Sequence, residues 1–219
     1  MTGKRRLSRR ELLQLSGMIG IGYGASVYLR ATAPLGIDVS TNTTAQALLH
    51  DPGGPMEGPE DADLRVVVFT DYQCPACRRA APELDSAMRE DGRIEVAYKD
   101  WPIFGDTSKQ AARVALASEP QGLYFEIHHA LMREHGTLTE ALLRAIVERM
   151  GANWARLTGD LQAGRDRIQT ALALNATHAF ALGIAGTPAF LVGPLLVKGA
   201  LSRSEFAKAF SDARAELHG

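Results

Sequence analysis

The chain has only two cysteines among its 219 residues, and this scarcity excludes several classes of protein. A small domain held together by several disulfides is excluded, and so is a zinc site built only from the cysteines of one chain. Hydrophobic residues make up 46% and charged residues 22% of the chain, which is typical of a soluble globular protein with its own core. The length predicts one domain, or one domain that carries an insertion.

Positive charge is also scarce beyond the N-terminus. Residues 1–30 hold six basic side chains against one acidic side chain. The remaining residues hold 18 basic and 24 acidic side chains, so the body of the protein is acidic. Because binding to nucleic acid through a broad face requires clustered Lys and Arg, we expect no nucleic-acid partner.

The N-terminus has the order of an export signal: basic residues, a moderately apolar stretch interrupted by glycines, and then small residues. Residues 8–14 resemble a twin-arginine export motif, and an ordinary Sec signal with a basic start is the alternative. The apolar stretch is short and Gly-rich for a transmembrane helix. Residues 31–33 have the form of a cleavage site, but Pro34 follows, so an uncleaved anchor stays open. We expect an exported, extracytoplasmic protein with residues 1–33 as its signal or N-terminal anchor.

The order of the predicted elements indicates an α/β protein with a helical insertion. Residues 34–63 are rich in Pro, Gly, Thr and Asp and are expected to form a linker or arm, with room for a short helix at 43–50. A strand–helix–strand unit follows in 64–105, and a strand hairpin with a terminal helix occupies 184–219. Residues 106–183, between these two parts, are predicted to be helical almost throughout. A sheet core with an inserted helical domain is the simplest architecture for this order.

Local signals predict where the individual elements begin and end. Strands are predicted at 64–70, 94–99, 188–192 and 195–198. Two capping boxes, Thr137-x-x-Glu140 and Ser202-x-x-Glu205, predict the starts of two helices.

Both cysteines lie in one Cys-x-x-Cys motif, Cys74 to Cys77, between a predicted strand and a predicted helix. A metal site needs about four ligands, and no second paired ligand motif supplies the others. A structural disulfide across two residues would constrain almost nothing, because stabilisation by a disulfide grows with the length of its loop. Two inert buried cysteines are the remaining alternative, but the position at a helix N-terminus favours a dithiol/disulfide redox pair.

The position of the motif predicts different roles for its two thiols. Cys74 is expected at the N-cap, where unpaired backbone N–H groups and the helix dipole favour an anion and lower the thiol pKa. Pro75 suits the first helical position, where its missing N–H is not needed. Cys77 is expected one turn further along, on the buried side. Cys74 is therefore predicted to attack, and Cys77 to resolve the mixed disulfide.

Several segments together resemble the DsbA-like thiol oxidoreductases of the thioredoxin superfamily. FTDYQCPACRRAAPEL is similar to their active-site segment, and Pro82 within it matches the helix-kinking proline. GTPAF, residues 186–190, resembles their cis-proline loop. KDWPIF and FEIHHALM resemble the middle region of that family, and the helical block between the two signatures corresponds to its insertion. The resemblance covers about 64–216.

The resemblance implies a thioredoxin-like fold with an inserted helical domain, and a redox-active disulfide with no other cofactor and no metal. It also implies a cis peptide bond before Pro188, because in this family the proline lies against the disulfide. Thr187 and Pro188 then form the loop that binds the substrate chain. The implied partners are exported client proteins with thiols and a membrane redox partner, either DsbB- or VKOR-like or a DsbD-like reductant. We expect the protein itself to be a monomer.

Three positions qualify the resemblance. DsbA has His between its cysteines where this chain has Ala76, and a buried Glu where this chain has Val68. We therefore expect Cys74 to be less acidic than the corresponding thiol of DsbA. Asp71, three residues before Cys74, either supplies a nearby carboxylate or serves as a turn residue. The supporting positions around the pair are thus Pro75, Ala76 and Asp71.

Other residues receive structural interpretations. Adjacent His128 and His129 point to different helix faces, so one packed and one exposed ring is favoured over a metal pair. Arg78 and Arg79 are expected to be solvated, with assistance to a thiolate as the alternative. Trp101 is expected in the core.

These observations predict an exported thiol-disulfide oxidoreductase that forms or exchanges disulfides in other exported proteins. A disulfide isomerase or reductase that a membrane partner keeps reduced is the alternative within the same chemistry. A non-enzymatic periplasmic copper-binding protein, with Cys74 and Cys77 as soft ligands, is the alternative outside it. No Met-rich or His-rich tract supports the copper alternative.

Overall fold

A computed structural model of the chain describes residues 35–51 and 53–218. The predicted export signal or anchor at 1–33 lies outside the described residues. Among the helices that are described, none combines the length and the apolar character needed to cross a membrane.

A mixed sheet of six strands forms the centre of the fold. Its strands are β1 Ile37–Asp38, β2 Met56–Glu57, β3 Leu64–Thr70, β4 Ile94–Asp100, β5 Ala189–Val192 and β6 Leu195–Lys198. Their order across the sheet is β1-β6-β5-β3-β4-β2. The pair β3–β4 is parallel, and the other neighbouring pairs are antiparallel. The C-terminal end of β3, near the middle of the sheet, leads directly into the Cys-x-x-Cys motif.

Helices cover both faces of this sheet. They are α1 Thr43–His50, α2 Pro75–Asp91, α3 Asp106–Ala117, α4 Tyr124–Arg133, α5 Glu140–Arg149, α6 Trp154–Ala163, α7 Arg165–Ala181 and α8 Arg203–His218. The run α3 to α7 lies between β4 and β5 in the sequence, which is the helical block that the sequence predicts. The helix α2 begins directly after Cys74.

The side chains of β3 alternate between two hydrophobic clusters. Val66 and Val68 belong to the first cluster, which includes residues of α2 and α8 and most of the helical block. Val67 and Phe69 belong to the second cluster, which includes residues of α1 and the end of α7. A strand that is buried on both faces reads as a continuous apolar run, and that is why 64–70 was recognisable in the sequence.

The segment predicted as a linker or arm contributes two short strands to the sheet, the first of which begins at Ile37. In β1, Ile37 pairs with Leu196, and in β2, Met56 pairs with Ala97. The helix α1 packs into the second cluster through buried side chains. Strands of two residues carry no periodicity, so the sequence could not reveal these pairings.

One of the two predicted capping boxes is confirmed and the other is wrong. At the start of α8, the backbone N–H of Ser202 donates to Glu205 Oε2 at 2.8 Å, and the Glu205 N–H donates back to Ser202 Oγ at 3.4 Å. At the start of α5 the N-cap is Thr139, whose hydroxyl oxygen accepts from Leu142 N, rather than Thr137. The domain boundaries drawn from the sequence stay predictions.

Candidate active site

The Cys-x-x-Cys motif forms the start of α2. Cys74 is the N-cap residue and Pro75 the first helical residue. The Cys74 N–H donates to the Asp71 carbonyl at 3.1 Å, and the Arg78 N–H donates to the Cys74 carbonyl at 3.1 Å. Both cysteines are buried, and both are free thiols in this structure. The sulfur of Cys74 thus lies where the first N–H groups of the helix have no intrahelical acceptor.

The two thiols have opposite pKa shifts. A hydrogen bond from the Cys77 thiol, with further bonds from the backbone N–H groups of Cys77 and Ala76, lowers the pKa of Cys74 to about 5. Burial, followed by the nearby Cys74 sulfur, raises the pKa of Cys77 above its ordinary value. At neutral pH the pair therefore holds one thiolate, on Cys74, and one proton, on Cys77.

The predicted substrate loop lies against this pair. The Thr187–Pro188 peptide bond is cis, and Cys74 Sγ lies 3.2 Å from the Thr187 carbonyl oxygen, to which it donates when it is protonated. The Pro188 carbonyl accepts from Gly199 N at 2.9 Å, which ties the loop to the end of β6. The structure thus brings Cys74, Cys77, Thr187 and Pro188 together, and the binding of a substrate chain by this loop stays a prediction.

Asp71 acts as a turn residue and as a tether. Its carboxylate accepts from the backbone N–H groups of Gln73 at 2.7 Å, Ile103 at 2.6 Å and Phe104 at 3.0 Å. The Ser108 hydroxyl also donates to it. These bonds hold the loop after β4 beside the Cys-x-x-Cys motif. Within the described part of the chain, this carboxylate forms no hydrogen bond with either sulfur, so the geometry favours the turn interpretation.

Comparison with known proteins identifies the family. The family described as DSBA-like thioredoxin domain matches residues 65–211 of the chain. The chain belongs to the DsbA-like thiol-disulfide oxidoreductases. The predicted family and the thioredoxin-like fold with its helical insertion are therefore confirmed.

Three solved structures are similar to this DsbA-like chain. A thioredoxin-like oxidoreductase from Silicibacter pomeroyi DSS-3 is 36% identical with a TM-score of 0.73, and the match covers 78% of this chain and 97% of that one. The thiol-disulfide exchange protein alpha-DsbA2 from Wolbachia pipientis is 26% identical with a TM-score of 0.74, over 79% and 94% of the two chains. A periplasmic thioredoxin-like protein from Salmonella enterica serovar Typhimurium is 26% identical with a TM-score of 0.69, over 81% and 98%.

The matches to curated relatives cover only part of the length of those relatives. It is 27% identical over 139 residues to the Na(+)/H(+) antiporter NhaA 1 of Salinispora arenicola, a match that covers 63% of this chain and 21% of the antiporter. The chain thus spans about a fifth of the length of that relative.

The two departures from DsbA both involve the first hydrophobic cluster. Val68, where DsbA has a buried Glu, is buried in the first hydrophobic cluster. Ala76, between the cysteines, is half-buried and packs against the same cluster. Neither position places an ionisable group near the sulfurs in this DsbA-like protein.

Beside Cys77 lies a small cavity of about 10 Å³. Pro188 lines it from the cis-proline loop, and Asp85, Tyr98 and His128 line it from α2, β4 and α4. Burial raises the pKa of the Asp85 carboxyl. The volume is close to the space of one water molecule, so the space beside Cys77 is small.

A buried chain of polar side chains continues from this cavity into the protein. The Tyr72 hydroxyl lies 2.9 Å from His128 Nδ1 and donates to the Tyr124 hydroxyl at 3.5 Å. The Tyr124 hydroxyl donates in turn to Asp100 Oδ2 at 3.2 Å. Burial raises the pKa of Asp100 to about 7 and lowers the pKa of His128 well below its ordinary range. These groups were missed in the sequence, although the spacing of Tyr124 and His128 by four residues places both on one helix face.

Two further sequence interpretations change in part. His128 is packed, as predicted for one of the two histidines, but His129 is held between Glu57 at 3.1 Å and Asp85 at 3.4 Å. Arg78 is not simply solvated, because its Nε donates to the Tyr72 carbonyl at 2.7 Å and its Nη1 to the Gly136 carbonyl at 2.9 Å. No cluster of three or more potential metal ligands occurs among the described residues.

Proposed function

We propose that this protein exchanges disulfides with client proteins through Cys74 and Cys77. The observation that carries the proposal is the asymmetry of the two thiols, with the pKa of Cys74 lowered to about 5 and that of buried Cys77 raised. A low pKa makes Cys74 the better leaving group from a mixed disulfide, and a high pKa makes Cys77 ready to hold a proton. This difference is what a disulfide donor requires.

The reaction follows from that asymmetry. A client thiolate attacks Sγ of Cys74 in the oxidised pair, the Cys74–Cys77 bond breaks, and Cys77 leaves and takes up a proton. A second client thiolate then attacks the client sulfur of the mixed disulfide, and Cys74 leaves as a thiolate. The client loses two electrons to form its disulfide, and the cysteine pair gains them. A membrane partner of DsbB or VKOR type would reoxidise the pair.

We also propose that this exchange takes place outside the cytoplasm. The basic and Gly-rich N-terminus supports export, and disulfides persist in oxidising compartments. The similarity to a protein described as periplasmic is consistent with the same location. The clients would then be exported proteins with thiols, and this protein would act on them as a monomer.

If a DsbD-like reductant kept the cysteine pair reduced instead, the protein would act as an isomerase or reductase. Thiol trapping in intact cells distinguishes the two directions.

The roles of the two thiols can be tested with one pair of variants. When the reduced Cys77→Ser variant meets a client disulfide, the Cys74 thiolate should attack it and one client sulfur should leave as a thiolate. The resulting mixed disulfide should be long-lived, because no Cys77 thiol remains to release the client. Cys74→Ser, the matched control, should form none and should be inactive. Non-reducing gels and mass spectrometry measure the adducts. Normal turnover by Cys77→Ser would contradict the proposal.

A further inference from the structure

A cleft opens beside the start of α2, next to the Cys-x-x-Cys motif. It has a volume of about 770 Å³. Gln73 and Pro75, the residues on either side of Cys74, line it, and the end of α4 forms its other wall. Cys74 itself does not line the cleft. A molecule joined to Cys74 would nevertheless have its adjacent atoms within reach of it.

The cleft is basic in an otherwise acidic protein. Arg78, Arg79, Arg133 and His135 line it, and no carboxylate among the described residues does so. Arg133 lies 3.9 Å from Asp85, at the limit of an ion pair. Beyond residue 30 the chain holds 18 basic and 24 acidic side chains, so a surface lined by three arginines departs from the composition around it. Such a local excess of positive charge attracts anionic groups.

Two hydrogen-bond donors at this cleft lack an acceptor within the described part of the chain. They are Nε2 of Gln73 and Nη2 of Arg78, both shielded from solvent. The other nitrogens of the Arg78 guanidinium are held by the Tyr72 and Gly136 carbonyls, which fixes its orientation. A buried donor without a partner carries a free-energy cost, so the residues that line this cleft include donors that lack acceptors.

We propose that this cleft binds a carboxylate of the molecule that is joined to Cys74 in the mixed disulfide. The guanidinium groups match a carboxylate in charge and in planar geometry. The proposal rests on the disulfide exchange proposed above, and it names the substrate class: clients with an acidic residue close to the reacting cysteine. An anionic small thiol such as glutathione offers the same chemistry, and the experiment separates the two sources.

The test compares two reduced peptides that differ only by Glu or Gln next to a single cysteine. The second-order rate constant for their attack on the oxidised protein is measured and expressed per thiolate, because the Glu side chain also shifts the thiol pKa of the peptide. We define the Glu-to-Gln ratio as the rate constant of the Glu peptide divided by that of the Gln peptide. A charge-assisted hydrogen bond changes a rate constant by about a factor of ten, so we expect the Glu peptide to react about tenfold faster. Glutathione and its diester form the small-thiol arm, and a preference confined to glutathione identifies the small thiol as the source.

Variants of the two arginines that make no backbone-carbonyl bonds complete the test. Arg79→Gln with Arg133→Gln should reduce the Glu-to-Gln ratio to about twofold, since most of the charge of the cleft is then gone. Arg144→Gln, an exposed arginine paired with Glu148 on α5, is the matched control and should keep the parent ratio. A general effect on the Cys74 thiolate changes both rates equally and leaves the ratio fixed.

Three results would overturn the proposal. The first is a ratio of rate constants near one in the parent protein, both for the Glu peptide against the Gln peptide and for glutathione against its diester. The second is a ratio that the double variant leaves unchanged. The third is an equal loss of both rates in the double variant. A failure of every thiol to react would instead count against the proposed disulfide exchange, so the two proposals fail in different ways.

Discussion

The surroundings of Cys74 and those of Cys77 differ in almost every physical respect. Beside Cys74 lie backbone N–H groups of a helix start, the carbonyl of Thr187 and a basic cleft of about 770 Å³. Beside Cys77 lies a small cavity of about 10 Å³, from which buried hydroxyl and imidazole groups lead to a carboxyl. The helix N–H groups beside Cys74 stabilise negative charge, whereas the cavity beside Cys77 is lined mostly by apolar side chains, which do not.

This difference shows how one helical turn can separate two roles. Helix N–H groups and nearby cations favour a thiolate, whereas burial in a small space favours a thiol. The sulfur at the helix start is therefore suited to leave, and the sulfur one turn further along is suited to keep a proton. The basic cleft is lined by Gln73 and Pro75, the neighbours of Cys74 in the sequence, so the proposed choice of client lies close to the proposed leaving group.

The largest effect on stability should come from replacing Asp71, whose carboxylate holds the loop after β4 beside the Cys-x-x-Cys motif. Asp71→Ala removes the acceptor of three backbone N–H groups and of the Ser108 hydroxyl, at a position that is 1% exposed. Buried donors left without a partner cost about 1–3 kcal/mol each, and solvent can reach some of them, so we expect a loss of about 3–5 kcal/mol in the free energy of unfolding. Urea denaturation measures it.

The matched control for this variant is Asp61→Ala, at an exposed position of the same residue type. It should change the free energy of unfolding by about 0.5 kcal/mol or less. If Asp71→Ala were as mild as this control, the loop after β4 would not depend on the carboxylate, and its assignment as a tether would be wrong.

The next effect tests the buried side. Burial raises the pKa of Asp100 from its ordinary value of 3.8 to about 7 in the folded protein, so the folded state binds more protons than the unfolded state between those two pH values. Stability from this group is fully present below about pH 4 and is lost as the pH rises through about 7. As the pH rises from about 4 to about 7, the free energy of unfolding of Asp100→Asn should therefore increase relative to that of the parent protein by about 2–4 kcal/mol. Unfolding measured at several pH values gives the difference.

A second variant should widen the pH range over which the Asp100 carboxyl lowers the stability of the protein, whereas Asp100→Asn removes that effect. Tyr124 donates to Asp100 Oδ2, and this bond lowers the carboxyl pKa. Tyr124→Phe keeps the carboxyl but removes the donor, so the folded pKa rises and the loss of stability extends to higher pH. Parallel stability profiles for the parent and Asp100→Asn between pH 4 and 7 would show that this carboxyl does not titrate as its burial predicts.

The fold was predictable where local patterns decide it. The strand at 64–70 and the strand at 195–198 were predicted with the bounds they have, because buried apolar runs and the turn between β5 and β6 leave clear signals. The two-residue strands β1 and β2 were not predictable, since their pairing depends on partners far away in the sequence. Thr139 caps α5 where Thr137 was predicted, a shift of two residues between similar side chains.

The cysteines and the cis-proline loop of the candidate site could be predicted from the sequence, but the side-chain contacts that hold and surround them could not. The Cys-x-x-Cys motif and GTPAF are contiguous signals, and the structure brings them to 3.2 Å at Cys74 and Thr187. Asp71 bonds Ile103 and Phe104, more than 30 residues away, and no local pattern shows such a link. The polar chain behind Cys77 also joins separate elements, so only the spacing of Tyr124 and His128 was visible beforehand.

The smallest predicted effect is a change in the Cys74 pKa and in the reduction potential of the cysteine pair, produced by a new charge beside Cys74. Ala76→His places an imidazole between the cysteines, where its protonated form stabilises the Cys74 thiolate. The thiolate exists only in the reduced protein, so the variant should have a lower Cys74 pKa and a higher reduction potential. An added interaction of about 1.4 kcal/mol corresponds to about 30 mV for this two-electron couple. Equilibration with glutathione measures the potential, thiolate absorbance against pH measures the pKa, and Ala76→Gln is the neutral control. A lower pKa with an unchanged potential would mean that the oxidised state gained equally, and charge near Cys74 would then not set the potential of this pair.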